Sequence, residues 1–118
     1  MIDKFTFWLE SIVEDTPIPY EVKHISFVYT KRNGCFVLML GGTETAPNLN
    51  NMFDFFPLEA QYHFDNELYN ITDESYFVKL MQTVIDESFS SDYIKHQYKG
   101  KKIYFGKYKE KLKFLFQI

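Results

Sequence analysis

Apolar residues at Ile2, Phe5, Trp8, Leu9, Ile12 and Val13 recur at helical spacing, so the chain opens on a predicted amphipathic helix with Asp3 as its N-cap. Pro17 and Pro19 stop it. Phe7 falls on the opposite face and is left over. Two strand-like runs, residues 20–32 and 35–40, flank Asn33-Gly34, the dipeptide that supplies two positive φ angles for a tight hairpin. That turn fixes the register: Arg32 faces Cys35, Tyr29 faces Leu38, and Phe27 faces Leu40. Ile25, Phe27 and Tyr29 then share a side with Phe36, Leu38 and Leu40. Val37 and Met39 are apolar on the other side, so the second strand reads as covered on both faces and central.

Gly41-Gly42 reads as the end of that strand, and residues 41–56 follow without a regular pattern. A loop of this length either carries function or is a surface excursion that holds Phe53, Phe55 and Phe56 against the core. In residues 57–65, Leu58, Ala60, Tyr62 and Phe64 alternate with polar residues, which predicts a strand. Ala60, Phe64, Leu68 and Ile71 would also share a helical face, so a helix is the alternative there. A second helix follows, capped by Thr72, with Asp73 and Glu74 at its positive end and Ile71 against Tyr76 as a hydrophobic staple. Phe77, Leu80, Met81, Val84 and Ile85 are its buried stripe. The Ser90-Ser91-Asp92 cluster ends it and starts a short helix that closes at Gly100.

The tail, residues 101–118, predicts a hairpin with its turn within residues 106–110, the alternative being a single long strand that would line up Lys107, Lys109, Lys111 and Lys113. Its last strand sets Leu112, Phe114, Phe116 and Ile118 on one face, with Lys111 and Lys113 on the other. The expected architecture is one α+β domain over residues 1–118, in the order α-β-β-β-α-β-β, with helices packed on one face of a mostly antiparallel sheet.

Length and composition agree with this. The chain has 118 residues with 46% hydrophobic and 25% charged, which excludes a disordered or fibrous chain and allows one core. Aromatic residues reach 19%, with one Arg (Arg32) against twelve Lys. Phe, Tyr, Lys, Asn and Ile are residues of A/T-rich codons, a bias seen in many bacterial and phage genomes, so the aromatic excess alone does not argue for ligand stacking. A lone cysteine, Cys35, excludes an internal disulfide and suits a reducing compartment. No leader pattern opens the sequence, and the longest apolar run, residues 35–40, is far short of the ~20 needed to span a membrane. The expectation is a cytoplasmic protein with no membrane partner, and the sequon at Asn70 then has no role.

No catalytic constellation emerges. In the hairpin register, His24 pairs with Thr43, eight residues along the strand from Cys35, or roughly 26 Å at ~3.3 Å per residue. That separation rules out a thiol-imidazole dyad between them. His24, His63 and His96 have no metal-ligand spacing, and Gly41-Gly42-Thr43 lacks the Lys of a phosphate loop. No cofactor or metal is expected, and the protein leans away from being an enzyme.

Charge is unevenly spread. Residues 95–113 hold eight Lys and one Glu, a net of +7, while residues 1–94 carry a net of −10. Opposed charge with leftover apolar residues (Phe7, Val28, Val37) favours association with a protein partner, as a homodimer, adaptor, inhibitor or immunity-like protein. The alternative is nucleic-acid binding through Lys99, Lys101, Lys102, Lys107, Lys109, Lys111 and Lys113, with Tyr98, Tyr104 and Tyr108 among them for stacking. Against it stand the acidic total, −3, and the single Arg, which gives no bidentate base reading. A third reading is a small-ligand binder or enzyme using the loop after Gly42, with His63, Glu44 and Asp54 as site members.

Overall fold

A computed structural model describes residues 2–32, 34–55, 61–63 and 71–118, with the side chains of Ile2 and of residues 61–63 excepted. Expectations that rest on Asn33, Phe56, Leu58, Ala60, Phe64, Leu68, Asn70 and the side chains of Tyr62 and His63 lie outside the described residues.

The chain is α+β, with a mostly antiparallel, mixed sheet. Helix α1 (Ile2–Asp15) is followed by β1 (His24–Arg32), β2 (Cys35–Thr43) and β3 (Gln61–His63). Then come α2 (Glu74–Ser88), α3 (Asp92–Gln97), β4 (Lys102–Lys107) and β5 (Lys113–Gln117). The sheet order is β3-β2-β1-β4-β5. The middle strand is β1, with β2 inside the sheet beside it, so the expected centre shifts by one strand. β4 runs parallel to β1, the one parallel pairing among the described residues, because α2 and α3 carry the chain back across the sheet before β4 begins.

The β1–β2 register is the one that the turn dictates, from His24↔Thr43 to Arg32↔Cys35, with Gly34 at φ 80. Cys35 and His24 therefore lie at opposite ends of the ribbon. Ile25, Phe27, Tyr29, Phe36, Leu38, Leu40, Ile103 and Phe105 form one face and join Phe5, Leu9 and Ile12 of α1 and Phe77, Met81 and Ile85 of α2 in a single core. Phe36 stacks on Phe77 at 4.2 Å and 12°, and Phe5 packs on Phe27 at 6.0 Å. Burying each such ring stabilises the fold by about 1.5–3 kcal/mol relative to leaving it exposed.

Two helix caps differ from expectation. α2 is capped by Asp73, whose carboxylate accepts from Tyr76 N at 3.1 Å, and not by Thr72. The staple positions move with the cap, Tyr76 is exposed, and Ile71 packs against the core. Asp3 lies within the first turn of α1, where its charge suits the helix dipole, and does not cap it. Ser91 caps α3.

Gly41 and Gly42 do not end β2, which continues to Thr43. Both permit close approach. A Cβ at Gly41 would overlap the Phe53 ring, and one at Gly42 would meet Val22 Cγ1 at 2.5 Å. Gly42 also exchanges backbone bonds with Phe55, N to O at 2.9 Å and O from N at 3.0 Å, which ties the loop down. The loop thus sets Phe53 over Gly41 on the face opposite the helices, where Ser26, Val28 and Met39 are buried, while Phe55 packs against the helix-side core. Val28 is covered rather than left over, and Val37 is half-buried.

Candidate functional site

The loop carries its own local structure. Asn48 and Asn51 exchange backbone bonds at 3.1 and 3.2 Å, and Asn48 Oδ1 accepts from Asn50 N at 2.8 Å and Asn51 N at 2.9 Å. This turn holds Leu49 at its tip with 58% of its surface exposed. A lone apolar residue between asparagines is the sequence signal that could have marked this position.

On the other side stands the C-terminal hairpin. Its strands pair as Ile103↔Phe116 and Tyr104↔Phe114, so β5 holds one extra residue, Leu115, at a β-bulge. The bulge splits the expected apolar face. Phe116 turns to the helices and meets Phe89 at 5.4 Å, while Phe114 stays beside Tyr104, ring to ring at 5.6 Å, with half of its surface exposed. The Tyr104 hydroxyl is hydrogen-bonded to His24 Nδ1 at 3.0 Å. Burial and the neighbouring Lys102 lower the His24 pKa, so this imidazole favours its neutral form, and burial raises the Tyr104 phenol. Leu112 crosses Gly106, where a Cβ would come within 2.9 Å of Leu112 Cδ2.

Between loop and hairpin lies a groove of about 580 Å³, lined by Pro47, Asn48, Leu49, Tyr104, Lys111, Leu112, Lys113 and Phe114. Among the described residues, the lining combines apolar side chains with two lysines and includes no carboxylate or imidazole. Besides the lysines, the titratable group in that lining is the Tyr104 phenol, which is hydrogen-bonded to His24. Glu44 and Asp54 are exposed elsewhere on the loop and do not line it, and only the backbone of His63 is described, paired with Val37. Among the described residues no group of three or more His, Cys, Asp or Glu is placed to hold a metal ion.

The nucleic-acid candidates differ in exposure. Lys101 is buried, its ammonium donating to Val22 O at 2.5 Å and Pro19 O at 3.3 Å, and burial lowers its pKa. Lys107 is paired with Glu74 at 3.3 Å and Glu110 at 3.8 Å. Tyr98 is wholly inside the core. Lys99, Lys102, Lys109, Lys111, Lys113 and Tyr108 remain exposed, with the Lys109 ammonium 5.6 Å from the Tyr108 ring. Tyr104 faces the groove. Phe7 stands on α1 with 71% of its surface exposed, as its place outside the apolar stripe requires. Among the described residues no helix is long and apolar enough to cross a membrane. Comparisons with protein-family models, with curated proteins and with solved structures find no match to the chain.

Proposed function

We propose that the protein works by association with another protein, through the lysine-rimmed apolar groove between residues 47–49 and the C-terminal hairpin. The observation that carries this reading is the pair of large apolar side chains, Leu49 and Phe114, that stay exposed on either side of one concavity beside Lys111 and Lys113. Exposed apolar surface gathered in one place, with a polar rim, is what a binding interface needs before its partner covers it. The basic rim selects an acidic partner and speeds encounter.

Charge reversal tests the reading. The wild-type protein and a Lys111→Glu/Lys113→Glu variant are immobilised and exposed to extract from the native cells, with Lys79→Glu as a control on the other side of the molecule. The reading expects identified proteins held by the wild type and by Lys79→Glu to be lost from the double variant. Equal retention by all three would overturn it. Recovery of nuclease-sensitive material alone would shift the assignment to nucleic acid.

A further inference from the structure

Resting on that reading, we infer that the groove's occupant is a second copy of this chain, docked through the Phe7 face of its α1. Phe7 is an aromatic ring set on a helix surface with most of its area in water. Asp3, Glu10 and Glu14 stand at i−4, i+3 and i+7 from it and share its stripe with Lys4 at i−3, so the stripe is net acidic, and the helix as a whole carries four carboxylates against that one lysine. Tyr93 extends the same surface, its hydroxyl donating to Glu14 Oε1 at 3.3 Å. The groove offers the complement: an apolar trough for the ring, and Lys111 and Lys113 at its edge for the flanking carboxylates. At about 580 Å³ it lies within the roughly 300–1,000 Å³ range of small-molecule sites, so a single aromatic side chain fits inside it.

The two surfaces lie on opposite sides of the sheet. α1 packs on the face of Phe27, and the groove opens beside the loop on the other face. A molecule cannot close this contact on itself. It joins unlike patches, so it builds head-to-tail chains or rings, not an isologous pair.

Sedimentation velocity on full-length variants tests the inference. The wild type is expected to grow in mass with concentration. Raising salt from about 0.1 M to about 1 M, which shortens the screening length from about 10 Å to about 3 Å, is expected to weaken that growth. Phe7→Ser, which lacks the knob, and Leu49→Asp/Lys111→Glu, which lacks the groove, should each stay monomeric. Mixed in equal amounts they should form a 1:1 dimer that grows no further, since one intact knob meets one intact groove. All three changed positions are exposed, and circular dichroism checks that the variants fold. A wild type that stays monomeric, a Phe7→Ser variant that assembles like the wild type, or a mixture that remains monomeric would each overturn the inference. If the wild type is monomeric and the Lys111→Glu/Lys113→Glu variant still loses a captured protein, the occupant is another chain and the groove reading survives. If no protein is lost either, both fail.

Discussion

Tyr98 is the largest fully buried side chain, and its hydroxyl finds no hydrogen-bond partner among the described residues. An unpaired buried hydroxyl costs about 1–3 kcal/mol, whereas the ring itself contributes packing against Phe89 at 5.2 Å. Tyr98→Phe keeps the ring and removes the cost. Its Tm is expected to rise, by about 4 °C for each kcal/mol in a domain of this size, and a fall in thermal unfolding would show that the hydroxyl has a partner. His24 gives a pH prediction. Its folded pKa lies below 6.5, so the folded state binds this proton less readily than the unfolded chain. The stability from keeping it neutral is complete above 6.5 and declines as the pH falls from there towards the lowered folded value. Chemical denaturation should show wild-type stability dropping across that window, with a shallower drop for His24→Asn. Parallel curves for the two proteins would contradict the assignment. Glu74, which accepts from Tyr29 and Lys107, has its pKa lowered from 4.5, so its contribution is lost only at more acid pH.

At the scale of elements, the fate of each segment follows from how local its determinants are. α1 is legible down to Phe7 because a stripe at helical spacing leaves one position out. The β1–β2 register is legible because Asn33-Gly34 permits one tight geometry, and that register separates Cys35 from His24. Three features depend on contacts with distant segments and were not legible. Gly41-Gly42 extends β2 because Phe53 and Val22 pack where side chains would be. β4 lies parallel to β1 because of the route taken by α2 and α3. Leu115 bulges so that Phe116 can reach Phe89 while Phe114 stays by Tyr104. The groove is made by the last of these together with the Asn48 turn, so sequence alone pointed to the charged hairpin and the long loop without joining them. Gly41→Ala tests how the loop is seated. The added methyl overlaps the Phe53 ring, and overpacking of this kind costs about 1–3 kcal/mol. Urea unfolding should show a loss of that order, and an unchanged midpoint would mean that the loop is not held against β2 by this contact.

For the whole molecule, the charge asymmetry acquires a spatial meaning. The acidic α1 with its exposed Phe7 and the basic groove with its exposed Leu49 and Phe114 lie on opposite faces of one sheet. The burial of Lys101 and the pairing of Lys107 take two of the seven candidate lysines away from any extended backbone-binding track, while Lys111 and Lys113 remain on the groove. Association at that groove is the claim on which the functional account stands. Its most direct measurement replaces Leu49 with a photoreactive phenylalanine analogue in the native cells, irradiates them, and locates every adduct by mass spectrometry. The account predicts covalent adducts to protein at position 49 that disappear when Lys111 and Lys113 are reversed to Glu. Adducts to nucleic acid alone, no protein adduct with the chain present and folded, or protein adducts indifferent to the reversal would contradict it.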